Sequence, residues 1–196
     1  MKKRIFFNKC EEMRFISHLD LLRFFERVMI KANIPVKYSQ GFHPRPKISF
    51  GNPIPLGTES FNEVLELELE KEMSNLELLN NFNSLDIKGF KVLSVEEKSD
   101  KVGIAERFSV AIYEIESNEE SIDKLFDLFS QNNIIETKEK KGKVVERDLK
   151  EKIRDFKKEN EKKIVVNIFN GSPNTFLEIC KIKDFEVNVK KIGYEL

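Results

Sequence analysis

The sequence predicts an α+β fold in which short strands and amphipathic helices alternate along the chain. Hydrophobic residues make up 40% of the 196 residues and charged residues 35%, a balance typical of a globular protein with a substantial core. Some short segments alternate apolar and polar residues, as half-buried strands do, and others repeat apolar residues at helical spacing. There are 17 Phe and no Trp, so Phe must fill much of the core.

For the first half of the chain, the sequence predicts the element order strand, helix, strand, strand, helix, strand. Ser17 and Ser74 can each cap a helix, because a serine hydroxyl can accept a hydrogen bond from a backbone N–H of the first turn. Leu65, Leu67 and Leu69 alternate with glutamates, which predicts a strand with one buried face. The predicted strands cover residues 3–8, 47–50, 61–70 and 89–95, and the predicted helices cover residues 17–32 and 74–82.

For the second half of the chain, which follows the charged stretch at residues 96–103, the sequence predicts a similar order. The predicted strands are 108–115, 164–169 and 185–192, the helices are 119–130 and 173–180, and residues 134–145 are extended. Residues 148–159 fit either a helix or one arm of a hairpin. The order βαββαβ is that of the ferredoxin-like motif. We therefore expect two ferredoxin-like halves packed together, residues 1–98 and residues 104–196.

Several function classes are disfavoured by motifs that the sequence lacks. Cys10 and Cys180 form no CxxC pair, which favours a reducing compartment. The basic N-terminal segment has too short an apolar run for a signal peptide, and no stretch reaches the roughly 18 apolar residues of a membrane span. These observations predict a cytoplasmic protein without a membrane partner. The two cysteines, His18 and His43 lack metal-ligand spacing, and no cofactor motif is present, so we expect neither a metal nor a cofactor.

The candidate functional segment spans residues 14–57 and contains both histidines of the chain. His18 would lie in the first turn of a helix, where free N–H groups favour anions. His43 lies in the string YSQGFHPRPK at residues 38–47, on a loop shaped by Gly and Pro. Loops with such constrained backbones commonly position side chains for binding or catalysis. The alternative is an ordinary polar loop with a surface histidine.

Cationic side chains in this segment point to a phosphate-rich ligand. Arg23, Arg27 and Lys31 recur every fourth residue, which places them on one face of the first helix. Lys and Arg side chains contact phosphates, and aromatic side chains such as Phe42, Tyr38 and Phe7 can stack on unpaired bases. A solvated helix face is the alternative for the three cations, and core packing is the alternative for the aromatic residues. The candidate binding residues are Arg14, His18, Arg23, Arg27, Tyr38, Ser39, Gln40, His43, Arg45 and Lys47.

Three strings in this segment resemble a known family. They are RFISHLD at residues 14–20, YSQGFHPRPKISF at residues 38–50 and PLG at residues 55–57. The chain resembles the radical SAM-linked protein family, a domain of unknown function that occurs alone or fused behind a B12-binding radical SAM protein. The resemblance is most specific across residues 1–95.

The resemblance implies an accessory role in RNA-related or ribosome-related work. Stand-alone members tend to be encoded beside a radical SAM protein, a ribonuclease of the E/G type and ribosomal-protein genes. A radical SAM protein is therefore the implied partner, and RNA is the implied ligand. Two cysteines cannot supply the three-cysteine motif that holds the iron–sulfur cluster of a radical enzyme, so this chain is not expected to be that enzyme.

The sequence supports three hypotheses about the function of the chain. The first is a binding module that presents RNA, or a related phosphate-rich substrate, to a radical SAM partner. The second is a metal-independent endoribonuclease-like enzyme in which His18 or His43 is the general acid or base, and Arg45 or Lys47 stabilises developing charge. This second interpretation rests on analogy with CRISPR-type endoribonucleases, which also pair ferredoxin-like halves. The third is a protein–protein adaptor whose loop is a docking surface.

Overall fold

The computed structural model describes residues 1–140 and 142–195. The fold is α+β, as the sequence predicts, and it is mostly sheet with few helices. The chain divides into two compact units, unit 1 (Met1–Phe108) and unit 2 (Ser109–Leu196). The predicted second half begins at residue 104, whereas residues 104–108 belong to unit 1. Among the described residues, no helix is long and apolar enough to cross a membrane.

Unit 1 contains an antiparallel sheet with helices against it. Strand β1 lies between β3 and β4, and the short strand β2 pairs with β3. The four-residue helix α3 is not predicted by the sequence analysis. The elements of unit 1 are β1 (Lys2–Lys9), α1 (His18–Lys31), β2 (Ile48–Phe50), β3 (Glu59–Glu68), α2 (Asn75–Asn83), β4 (Phe90–Glu97) and α3 (Ile104–Arg107).

Helix α1 begins where the sequence predicts. The Ser17 hydroxyl oxygen accepts a hydrogen bond from the Asp20 backbone N–H at 3.1 Å and donates one to the Asp20 carboxylate at 2.7 Å. This cap satisfies one of the free N–H groups of the first turn. Phe25, on the buried face of α1, packs against the rings of Phe7, Phe50 and Phe90 at centroid distances of 5.0–5.5 Å. Aromatic packing thus fills the core of unit 1.

The other face of β1 carries a buried cation. Arg4 is only 1% exposed, and its register partners are Glu66 on β3 and Glu96 on β4. Its guanidinium donates hydrogen bonds to Glu66 at 2.8 Å, Glu96 at 2.9 Å and Asp100 at 2.9 Å. Burial alone would lower the pKa of Arg4, but these three carboxylates raise it above its ordinary value. Arg4 therefore stays charged inside unit 1.

Unit 2 contains a four-stranded antiparallel sheet of order β10-β5-β9-β8, and a separate hairpin formed by β6 and β7. Phe129 packs against Phe156 and Phe176 at 5.7 and 5.5 Å in its core. The elements of unit 2 are β5 (Val110–Glu116), α4 (Glu119–Ser130), β6 (Ile135–Lys140), β7 (Lys143–Asp148), β8 (Ile153–Asn160), β9 (Lys163–Phe169), α5 (Asn174–Ile179) and β10 (Asn188–Glu195).

The hairpin alternative for residues 148–159 is confirmed. A short 3-10 turn at Lys150–Lys152 leads into β8, which pairs antiparallel with β9. The predicted extended segment at residues 134–145 corresponds to β6 and the start of β7. Lys141, within that predicted segment, lies outside the described residues.

Candidate functional site

The loop at residues 37–47 is folded back on itself. The Lys47 N–H donates to the Lys37 carbonyl at 2.7 Å, and the Ser39 N–H donates to the Arg45 carbonyl at 2.8 Å. The Arg45 N–H in turn donates to the Ser39 hydroxyl at 3.0 Å. Near the tip, Gly41 has a φ of +133°, a conformation that favours glycine. These bonds hold the loop in one shape without making it a regular strand pair.

The tip of this loop places an aromatic ring in solvent. Phe42 is fully exposed, with a relative accessibility of 102%. Gln40 and His43 beside it are exposed too, and Tyr38 at the base of the loop is partly exposed. An isolated exposed apolar residue is unremarkable, but a fully exposed Phe on a braced loop offers both faces of its ring to a ligand. Of the aromatic residues considered for stacking, Phe42 lies outside the core, whereas Phe7 is fully buried in the core of unit 1.

An ion pair joins this loop to helix α1. The Arg45 guanidinium contacts the Glu26 carboxylate at 3.2 Å, while most of the Arg45 side chain remains exposed. On α1, Arg23, Arg27 and Lys31 are exposed, as the helical spacing predicts. Because Glu26 lies within one turn of Arg23 and next to Arg27, the loop is held beside this basic face. We call residues 37–47 together with Arg23, Arg27 and Lys31 the loop–helix surface.

Lys47 lies at the end of this loop and is already paired. Its ammonium is 3.5 Å from the Glu68 carboxylate, which also accepts a hydrogen bond from Lys37 at 2.7 Å. The bond from Lys37 and the charge of Lys47 hold the pKa of Glu68 below its usual value. Lys47 also borders a cavity of about 260 Å³ with Ser49 and Glu66. Arg45 and Lys47, both on this loop, therefore have different acidic partners, Glu26 and Glu68.

Arg14 and His18 form a second group, where β1 leads into α1. Arg14 lies in a 3-10 turn, 3.8 Å from the Glu59 carboxylate and 4.7 Å above the Phe15 ring. His18 is the first residue of α1, exposed, with its ring edge-to-face with Phe50 at 5.6 Å. His18 therefore does lie in the first helical turn, as the sequence analysis predicts.

A shallow pocket beside His18 contains charged residues that the sequence analysis missed. Lys9 is 3% exposed, and its ammonium donates to the Ile16 carbonyl at 3.0 Å. Burial lowers the pKa of Lys9, and the charge of Glu63 opposes that shift. Glu63, also buried, accepts a hydrogen bond from the Ser60 hydroxyl at 2.7 Å. Only the pairing of β1 with β3 brings Lys9 and Glu63 near His18, and no local spacing in the sequence reveals that pairing.

The contacts of the described residues assign the candidate residues to two groups. Arg14 and His18 belong to the α1 entrance, and His43 belongs to the loop–helix surface. None of the hydrogen bonds, ion pairs or ring contacts among the described residues joins His18 to His43. Within residues 1–140 and 142–195, no three His, Cys, Asp or Glu side chains come together as metal ligands would.

The fold and the site define an α+β protein whose candidate residues lie on an exposed loop, on a helix face and at a shallow pocket. The chain belongs to a bacterial family described as an uncharacterized protein conserved in bacteria (DUF2344), whose profile matches residues 2–178. The match covers all of unit 1 except its first residue, and unit 2 as far as α5. No curated protein is significantly similar to the chain.

Proposed function

We propose that this protein is an accessory module that binds single-stranded RNA, or a related phosphate-rich substrate, for a radical SAM partner enzyme. The observation that carries the proposal is the fully exposed ring of Phe42 on a braced loop, which the ion pair between Arg45 and Glu26 joins to helix α1. The partner is inferred from the sequence strings that resemble the radical SAM-linked family, and its test is co-purification with this chain.

The scaffold we propose for this module is a pair of ferredoxin-like units. In unit 1, β1 lies between β4 and β3, and β2 pairs with β3, all antiparallel. In unit 2, leaving out the β6–β7 hairpin, the order β10-β5-β9-β8 repeats that arrangement. Both orders support the βαββαβ motif. In unit 1 the motif places α1 and the 37–47 loop next to each other in the chain.

The chemistry of the loop–helix surface suits an unpaired strand. An unpaired base exposes a flat π-face, and stacking it on an aromatic side chain contributes about 1–3 kcal/mol per base. Arg23, Arg27 and Arg45 supply charge for the adjoining phosphates, and each phosphate contact releases counterions. The hydrogen bonds within the loop reduce the ordering cost of binding, because the backbone at the base of the loop is already ordered. A duplex would hide its base faces from Phe42.

The test is the affinity of the full-length protein for a fluorescein-labelled single-stranded RNA, measured by fluorescence anisotropy. Phe42→Ala should weaken binding by about 5- to 140-fold, the range that corresponds to the loss of one stacking contact. The matched control is Phe185→Ala, because Phe185 is also highly exposed but lies in unit 2. If Phe42→Ala and Phe185→Ala both bind as the unmodified protein does, the stacking role is wrong. If the unmodified protein binds no RNA at all but co-purifies with a radical SAM protein, the adaptor function replaces this proposal.

A second candidate function is RNA cleavage at His18, which is favoured by the buried ammonium of Lys9 in the same pocket. A positive charge excluded from water would stabilise the developing negative charge of a phosphoryl transfer more strongly than a solvated one. The labelled RNA is incubated with the protein at high concentration and analysed by denaturing electrophoresis. Cleavage that is lost in His18→Ala and kept in His43→Ala supports this function, and intact RNA removes it.

A further inference from the structure

Unit 2 contains a cavity of about 410 Å³ that none of the candidate residues of unit 1 touches. It lies between the β6–β7 hairpin and residues 171–176, which include the first turn of α5. Two buried apolar side chains, Leu149 and Phe176, line part of the cavity and give it a packed wall. The polar side chains that line it are Glu136, Lys138, Arg147, Asp148, Lys152, Ser172 and Thr175.

Three of these polar residues are cations, and their charge is only partly offset. Lys138 pairs with Glu136 at 2.7 Å, and the Lys152 ammonium donates to the Asn170 carbonyl, a neutral partner, at 3.2 Å. Arg147 makes no ion pair with any other residue that the structure describes, and its side chain is exposed. The cavity therefore has a surplus of positive charge.

The remaining acid, Asp148, has other partners. Its carboxylate accepts hydrogen bonds from the Lys150 and Ile134 N–H groups, both at 2.9 Å, and from the Asn133 amide at 2.6 Å. These bonds, the one from Lys150 foremost, hold the pKa of Asp148 below its usual value. The Asp148 carboxylate is engaged by the backbone N–H groups of Ile134 and Lys150. It is therefore not positioned to neutralise Arg147 as a dedicated ion-pair partner would.

The strand register places Arg147 close to a second cation. Glu136 on β6 is directly opposite Arg147 on β7, so Lys138, two residues along, projects from the same face of the hairpin. Glu136 raises the pKa of Lys138, and Arg147 acts against it. An anion placed between the two neighbouring cations would be attracted by both and would reduce the repulsion between them.

Two hydroxyl groups complete the lining. Ser172 and Thr175 border the cavity, and neither hydroxyl is hydrogen-bonded to another residue among those the structure describes. A hydroxyl can donate to an anionic oxygen, and a guanidinium can donate two parallel hydrogen bonds to the oxygens of a phosphate. The three cations of the lining are opposed by two carboxylates, which leaves one net positive charge. The guanidinium of Arg147 and the two free hydroxyls can together donate to several oxygens, which suits a phosphate group better than a carboxylate.

We propose that this cavity binds the phosphate group of a small phosphorylated molecule. A volume of about 410 Å³ is within the range of about 300–1,000 Å³ that small-molecule sites occupy, and it exceeds what inorganic phosphate needs. The rest of the ligand would contact the wall formed by Leu149 and Phe176. The site is in unit 2, so it does not depend on the function proposed for the loop–helix surface.

The test is isothermal titration calorimetry of the full-length protein with ribose 5-phosphate, inorganic phosphate and ribose. We expect ribose 5-phosphate to bind most tightly, inorganic phosphate to bind more weakly at the same site, and ribose to give no binding heat. If inorganic phosphate binds as tightly as ribose 5-phosphate, the ligand is free phosphate rather than a phosphate ester, and that part of the proposal is overturned. Absence of heat from both phosphate compounds at about 100 times the protein concentration overturns the whole proposal.

Two variants decide whether the cavity is the site. Arg147→Gln should weaken ribose 5-phosphate binding by about tenfold or more, because a charge-assisted hydrogen bond is lost. Arg154→Gln is the matched control, since Arg154 is exposed on β8, stacks on Phe169 and does not line the cavity. The double variant Ser172→Ala with Thr175→Ala keeps every charge and should also weaken binding. If Arg154→Gln weakens binding as much as Arg147→Gln, the effect is general electrostatic attraction and the assignment is wrong.

Discussion

At the scale of single residues, the most strongly perturbed carboxylate is in unit 1, beside Arg4. Asp100 accepts hydrogen bonds from Lys98 at 3.0 Å and Arg4 at 2.9 Å, and these hold its pKa at about 2. The same carboxylate also accepts the Val102 N–H at 3.1 Å, which fixes the chain after β4. Asp100 therefore links the buried guanidinium of β1 to the segment that precedes α3.

This arrangement predicts an acid dependence of stability. The pKa of Asp100 in the unfolded chain is near 3.9, above its folded value of about 2, so its stabilising effect is complete above about pH 5. That effect is lost as the pH falls from about 5 toward 2. Asp100→Asn should therefore lower the free energy of unfolding at pH 7, and the difference between variant and unmodified protein should shrink at pH 3. Urea unfolding at the two pH values measures this difference.

The control is Asp86→Asn. Asp86 is exposed and makes no ion pair with another described residue, so its substitution should have the same small effect at both pH values. A difference for Asp100→Asn that stays constant between pH 7 and pH 3 would contradict the assignment.

At the scale of elements, Gly89 connects the start of β4 to the turn that follows β1. Its carbonyl accepts the Cys10 N–H at 2.9 Å, and its φ is +75°. A Cβ at this position would overlap the Cys10 carbonyl oxygen and press on the Met13 side chain. The conformation and the close approach both require glycine here.

Gly89→Ala should therefore destabilise the protein by about 2 kcal/mol or more, from the strained backbone and the overlap together. Gly103→Ala is the control, because Gly103 has a negative φ and open space around it, and its substitution should cost no more than about 1 kcal/mol from the less favourable N-cap residue. Denaturant unfolding of both variants measures the two values. Equal stabilities for the two variants would show that the chain relaxes around Gly89.

The elements that the sequence predicts well are those with local signals. Ser17 caps α1 and the apolar spacing of that helix is regular, so its start follows from a few adjacent residues. Strand β8 has no such signal, because Ile153 and Phe156 are the only large apolar residues in a run of charges. Its strand structure comes from pairing with β9, which is a tertiary interaction. For that reason the sequence left a helix and a hairpin arm equally open.

The same distinction between local sequence signals and tertiary interactions applies to the candidate sites. The exposure of Arg23 and Arg27 could be predicted from helical spacing, and the shape of the 37–47 loop from its Gly and Pro content. The cavity of unit 2 could not, because Lys138, Arg147 and Thr175 come from three segments that only folding brings together. No short motif in the sequence marks such a site.

At the scale of the whole molecule, positive and negative charges are concentrated in different segments of the chain. The formal net charge is zero and the sequence pI is about 6.8, yet residues 1–60 carry more Lys and Arg than Asp and Glu. The field that a ligand meets depends on the local distribution of charge, because charges farther than about 10 Å away are largely screened in about 0.1 M salt. A polyanion can therefore be attracted to the loop–helix surface of a chain whose net charge is zero.

RNA binding should accordingly remain salt-dependent at pH 6.8. Each phosphate contact on a single strand contributes about 0.7 to the slope of log K against log salt concentration, so Arg23→Gln with Arg27→Gln should reduce that slope by about 1.4. The control Lys71→Gln with Lys91→Gln removes the same charge from exposed positions outside the loop–helix surface and should leave the slope nearly unchanged. Anisotropy titrations in a NaCl series measure the slopes. An equal reduction in both double variants would mean that net charge alone controls binding.

The buried Arg4 has a consequence for how β1 finds its place. Arg4 is opposite Glu66 on one neighbouring strand and opposite Glu96 on the other. If β1 slipped by one residue against either neighbour, the guanidinium would turn toward the face that carries Phe7 and lose its bonds to Glu66, Glu96 and Asp100. Strands without a buried charge tolerate such slips more easily, because one apolar side chain can replace another. In unit 1, the carboxylates around Arg4 therefore favour the observed alignment of β1 over a shifted one.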